Sequence, residues 1–161
     1  MRRRSFLEAL EAGALVLDGA MGTALYEQGL LYTGSLDQAS IARPEIVRRI
    51  HDGYVLAGAD ALTTNSFGAN RYRLEPHGLG ESVRQINLAA VALAREAAGE
   101  DTYVLGSMGP TGRVFKSVSE SEHAAIRAAF REQSAALCEA GVDALILETF
   151  RQPEELALAI E

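Results

Sequence analysis

The sequence predicts an α/β fold built from β/α units in series. Three observations carry that prediction: short apolar runs recur about four times along the 161 residues, each run leads into a polar or glycine-rich turn, and a stretch of helical periodicity separates each run from the next. With 48% hydrophobic and 23% charged residues, the chain is able to bury one sizeable core.

The strand candidates, in order, are residues 14–18 (ALVLD), 59–64 (ADALTT), 102–106 (TYVLG) and 142–148 (VDALILE), all apolar enough to be covered on both faces as parallel strands are. Helices separate them. Residues 43–57 place Pro44 near the first turn, align Ile46, Val47, Ile50 and Tyr54 on one face, and stop at Gly58. Residues 79–98 repeat the pattern with Val83, Ile86, Leu88, Val91 and Leu93, ending at Gly99. Residues 119–140 open with SESE, an N-cap serine followed by first-turn acids, and stop at Gly141. A fourth helix starts at Pro153 and meets no stop signal before Glu161, so the chain reads as cut inside or at the edge of an element. Four such units make either a small open parallel sheet or half of an eightfold barrel, which takes roughly 250 residues. Periodicity leaves both open.

Charge and cysteine usage narrow the function. Fifteen Lys and Arg against 22 Asp and Glu give a formal charge of −7, which disfavours nucleic acid as a partner. The single Cys138 excludes an internal disulfide framework and fits a reduced, cytoplasmic setting. No apolar run approaches the ~20 residues that span a bilayer. Glu8 and Glu11 interrupt any signal-peptide reading, and MRRRS reads as a solvated terminus. His51, His77 and His123 lack ligand spacing, and Cys138 in AALCEAG reads as a small buried hydrophobe, so no metal site is expected from these residues.

Ligands of either architecture gather at the carboxyl ends of the strands. The residues there are Asp18-Gly19-Ala20-Met21-Gly22, Thr64-Asn65-Ser66, Gly106-Ser107 and Glu148. The glycine spacing matches neither nucleotide fingerprint. Asp18 and Glu148 together suit an ammonium group, and backbone N–H groups of the Gly19 to Gly22 turn suit a carboxylate beside it. An amino acid carries both charges. Plainer roles compete: Asp18 as a helix N-cap, Glu148 paired with Arg113 or Arg151, and Asn65 closing a turn.

The segments LVLDGAMGTALYEQG, ARPEIVRRIHDGYVLAGADALTTNSFGANRYRL, YVLGSMGPTGR and GVDALILETF resemble, in order and spacing, the homocysteine S-methyltransferase family. The pattern is similar to the N-terminal half of the bifunctional homocysteine S-methyltransferase/methylenetetrahydrofolate reductases and to the first module of cobalamin-dependent methionine synthases. The resemblance implies a TIM-type (β/α)8 barrel, of which residues 1–161 supply about the first four β/α units as the N-terminal half of a homocysteine-binding domain. It implies an enzyme that transfers a methyl group to the zinc-activated thiolate of homocysteine to form methionine. It also implies that Asp18 and Glu148 bind the amino group, that amides of Gly19, Ala20 and Met21 hold the carboxylate, and that Thr64, Asn65 and Ser107 line the pocket. The family binds its zinc through three cysteines that this sequence lacks, so the catalytic half of the site is expected elsewhere and the 161 residues alone are expected to be inactive. The implied methyl donor is methyltetrahydrofolate, a methylcobalamin module or S-methylmethionine. Two other readings stand beside this one: a non-catalytic half-barrel that self-associates through its open edges, and an unrelated open α/β small-molecule-binding domain.

Overall fold

A computed structural model describes residues 4–30, 34–115 and 119–161. The apolar runs lie side by side and point the same way. Strands β1 (Ala61–Thr63), β2 (Tyr103–Met108) and β3 (Ala144–Leu147) form a parallel sheet in the order β1-β2-β3, with Thr63 opposite Leu105 and Ser107 opposite Ile146. Residues 14–18 fall short of a strand. They make one parallel bridge, Leu17 to Ala61, beside β1, where Val16 and Leu17 remain exposed. β2 also runs further than its apolar run suggested, so Ser107 lies within the strand instead of the loop after it. β3 supplies partners up to Met108, whereas the pairing with β1 ends at Leu105.

Eight helices are described: α1 (Phe6–Ala12), α2 (Met21–Glu27), α3 (Ala39–Ala42), α4 (Pro44–Leu56), α5 (Arg71–Leu74), α6 (Val83–Ala98), α7 (Glu120–Glu139) and α8 (Pro153–Ile160). The long ones match their sequence signals. Pro44 opens α4, a capping box between Ser119 and Glu122 opens α7, and Pro153 opens α8. Gly58, Gly99 and Gly141 take φ of 90°, 59° and 85°, the left-handed region that ends a helix at little steric cost. Helix α1 was not anticipated, although SFLE is a capping box and the Ser5 hydroxyl does cap Glu8 N–H. Helix α6 starts at Val83, after a 3-10 turn at Gly80–Ser82, and its Leu88 and Leu93 are only half-buried.

Strand alternation divides the core. Leu62, Val104 and Met108 face helices α6 and α7, packing with Val91, Ala94, Ile126, Phe130 and Leu137. Ala61, Tyr103 and Leu105 face the other way, against Leu15, Ala144 and Ile146. Helix α1 covers the lower end of that second face: Phe6 meets Tyr103 edge to face at 5.5 Å, and the Tyr103 hydroxyl donates to Arg4 O. Among the described residues no helix is long and apolar enough to cross a membrane.

Cys138 departs from expectation. It is exposed near the end of α7, because the buried side of that helix turn is taken by Ala136 and Leu137.

Two tests follow from the packing. A Cβ added at Gly106 would stand 3.0 Å from Leu145 Cδ2 and 3.1 Å from Leu137 Cδ1, so Gly106→Ala is expected to lower stability by about 1–3 kcal/mol in urea denaturation. His51 is fully buried in α4 and neither ring nitrogen has a hydrogen-bond partner among the described residues. Burial lowers its pKa from 6.5 to about 4, so the unfolded chain takes up a proton first as pH falls. His51 therefore removes stability as pH drops through that interval, and none is removed above it. His51→Leu is expected to flatten this part of the stability profile and to add about 1 kcal/mol at neutral pH, read as a shift of the denaturation midpoint.

Candidate functional site

On the inner face of the sheet the side chains change character toward the carboxyl ends. Ala61 gives way to Thr63, Leu105 to Ser107, and Ile146 to Glu148, each pair sharing a face through the two-residue strand period. An apolar base thus carries a polar crown. A cavity of about 450 Å³ opens over it, with Gly19, Met21, Thr64, Asn65, Ser107 and Glu148 among its lining residues.

Asp18 does not cap a helix. The N-cap of α2 is Ala20, which makes no side-chain cap, and the Asp18 carboxylate turns to β1 instead. Its two oxygens accept from the Thr63 N–H and the Thr63 hydroxyl, both at 2.9 Å. Burial, joined by a smaller push from the nearby negative charge of Glu148, raises its pKa from 3.8 to about 6 despite those bonds. Glu148 is not paired with Arg113, which instead binds Glu122 at 2.8 Å. Nor does it make an ion pair with Arg151 among the described residues. One Glu148 oxygen accepts from the Ser107 hydroxyl.

Behind these carboxylates lies a small polar lattice. Ser107 N–H donates to Thr64 Oγ1 at 3.0 Å, Thr64 and Ser66 share a hydroxyl contact of 2.6 Å, and the Ser66 hydroxyl donates to Ser107 O at 2.8 Å. From α7, the buried Gln133 amide donates to Ser66 O at 2.7 Å. Asn65 does more than close a turn: its amide donates to Leu36 O and to the Ser40 hydroxyl, tying β1's end to α3 and to the segment before it. On the first turn, Gly19 is required by contact, since a Cβ there would sit 2.8 Å from the Tyr54 hydroxyl oxygen, which donates to Ala20 O. Neither Asp18 nor Ala20 is among the residues that line the cavity: Asp18 stands behind Thr63, and the Ala20 carbonyl is taken by the Tyr54 hydroxyl.

Several site residues escaped sequence reasoning. Thr63 was legible through its alternation with Ala61. Asp37 was not: it is buried, accepts from the nearby Ser35 hydroxyl and from the sequence-distant Gly68 N–H, and carries a pKa raised by burial. His77 and Arg73 also border the cavity. Among the described residues no three of His, Cys, Asp and Glu converge as a metal-ligand set, and the exposed Cys138 lies on α7, so these residues do not supply a zinc site.

Comparison with known proteins gives this geometry a lineage. Residues 15–161 match the family model described as homocysteine S-methyltransferase. A methionine synthase of Mycobacterium tuberculosis is 34% identical over 96% of this chain and 14% of its own length. A betaine–homocysteine S-methyltransferase 1 of Danio rerio is 35% identical over 99% of this chain and 40% of its own. Among solved structures, the homocysteine methyltransferase MmuM from Escherichia coli, in its oxidized form, superposes with a TM-score of 0.79 at 31% identity, covering 94% of this chain and 59% of that one. Its metallated form gives 0.78 at 29% identity. The chain thus spans well under half the length of these curated relatives, and an unrelated open α/β domain is ruled out: it belongs to the homocysteine S-methyltransferase family.

Proposed function

We propose that this chain supplies the amino-acid-binding half of a homocysteine S-methyltransferase, an enzyme that moves a methyl group onto the homocysteine sulfur to give methionine. The observation that carries the reading is Glu148 on the cavity wall with Asp18 beside that wall, held by the lining residue Thr63 and near enough that the Glu148 charge raises its pKa, and neither carboxylate has an ion-pair partner among the described residues. Like charges held together are unfavourable unless a cation joins them, and a substrate ammonium fits. In this reading the amino group sits between Asp18 and Glu148, the carboxylate meets N–H groups of the Gly19 to Met21 turn, and Thr64, Asn65 and Ser107 complete the wall. The sheet then forms the first four units of a (β/α)8 barrel, a proposal supported by the likeness to MmuM.

These residues orient the amino acid and leave its sulfur alone. A free thiol has a pKa near 8.5 and stays mostly protonated at neutral pH. Zinc, when the family's members bind it, supplies the thiolate; the residues present here do not fit that ion, and activation belongs to groups outside this set. A non-catalytic half-barrel is the competing reading. The methyl donor is proposed from the same three classes that the family resemblance implies: a methylated folate, a methylcobalamin module or a sulfonium amino acid.

Two measurements test the assignment. Glu148→Gln is expected to weaken homocysteine binding by about one to two orders of magnitude in calorimetry, as for loss of a charged hydrogen bond, with circular dichroism unchanged. Unaltered affinity would remove Glu148 from the site. Binding also needs Asp18 ionised, so homocysteine affinity is expected to fall as pH drops through about 6, and to become flat and weak in Asp18→Asn. The ammonium of the ligand stays protonated throughout that interval, so a slope that persists in Asp18→Asn would mean a different titrating group.

A further inference from the structure

Two buried amide side chains of the outer helices reach the rim from outside the cavity. Gln133 of α7 and Asn87 of α6 are fully buried, and neither is among the residues that line the cavity. The Gln133 amide donates to Ser66 O at 2.7 Å, with Ser107 O and Asn87 Oδ1 each 3.5 Å from the same nitrogen. The Asn87 amide donates to Ala69 O at 2.9 Å and to Val83 O at 2.8 Å. Two helices thus hold the segment 66–69 from beneath.

As plain packing, Gln133 is unfavourable. Its Oε1 is buried with no partner among the described residues, a desolvation penalty that an apolar side chain of the same length would avoid. Nor is its donor needed to satisfy Ser66 O, which also accepts from the Ala69 N–H at 3.0 Å. Local departures of this kind, unfavourable for stability, are what functional positions carry.

What the Gln133 donor reaches is a chain of bonds that ends on Glu148. Ser66, whose carbonyl Gln133 holds, sends its hydroxyl to Ser107 O at 2.8 Å. The Ser107 N–H is held by Thr64 Oγ1 at 3.0 Å, and the Ser107 hydroxyl donates to the Glu148 carboxylate. The Glu148 N–H is fixed separately, to Met108 O at 3.1 Å, so this chain governs where the carboxylate points and not where its backbone lies. Asp18 is held by Thr63 and stands outside the chain.

We propose that Gln133 is a positioning residue for the ammonium site, aiming the Glu148 carboxylate through Ser66 and Ser107 from outside the cavity. The inference rests on the homocysteine reading of that cavity.

A thermodynamic cycle tests this, with homocysteine titrated calorimetrically into the unmodified 161-residue protein, Gln133→Met, Glu148→Gln and the double variant. Gln133→Met is expected to weaken homocysteine binding about tenfold while its urea denaturation midpoint stays level or rises, because Met fills similar space without a buried polar end. On the Glu148→Gln background the same substitution is expected to change affinity less than about twofold, since the carboxylate that Gln133 aims is already gone. Ser66→Ala, which removes one oxygen from the middle of the chain of bonds, is expected to repeat this pattern and decides the matter if Gln133→Met does not fold. Equal losses of affinity on the two backgrounds would mark a merely structural role and overturn the proposal, as would an affinity that Gln133→Met leaves untouched. Failure of homocysteine to bind the unmodified chain would overturn the reading of the cavity itself, and this inference with it.

Discussion

The double hydrogen bond from Thr63 to Asp18 is the constraint on which the site depends. Residues 14–18 have only one bridge to β1, with backbone bonds from Asp60, Ala61 and Asp18 around it and the Val16 N–H donating to the Asp60 carboxylate at 2.8 Å. Thr63 supplies both a backbone and a hydroxyl donor to one carboxylate, which locks the end of that segment to β1. Those donors also temper the unfavourable burial of a charge, though not enough to keep its pKa in the ordinary carboxylate range. The first turn then enters α2 with Gly19 lying against Tyr54.

A second constraint holds the opposite carboxylate. Glu148 leaves β3 into a strained Thr149, and its side chain is oriented by Ser107, whose own backbone is tied to Thr64 and Ser66. Gln133 reaches this lattice from α7, so a helix on the outer layer sets the position of loops on the inner rim. Buried hydroxyls and amides of this kind are favourable only when nearly all are paired. The Gln133 oxygen and Asn70 Nδ2 are the exceptions among these loops, each without a partner among the described residues. The arrangement holds the Glu148 charge near that of Asp18, a repulsion that raises the Asp18 pKa and favours a cation that enters between them.

Much of this was legible in the sequence. Apolar runs marked where strands lie, prolines and capping serines marked helix starts, and three glycines marked helix ends, because each depends on neighbours within a few residues. The placement of Asp18 and Glu148 was equally local, since both directly follow an apolar run. The two-residue alternation also assigned Ser107 and Glu148 to one face once the strands were known. The helix at Ser5 was encoded too, in a capping box read as part of a charged terminus.

What tertiary structure alone decided was which partner each polar group takes. Whether Asp18 caps α2 or bonds Thr63, and whether Glu148 meets Arg113 or Ser107, turns on contacts between residues about forty apart, and no local propensity encodes those. Cys138 shows the same limit from the apolar side: its helix is written in the sequence, yet its exposure follows from which side of α7 meets β2. Sequence determines the elements through local sterics and the family through the residues at strand ends. The fold decides the charges' partners, because a buried carboxylate takes whichever donor the packed chain brings within reach.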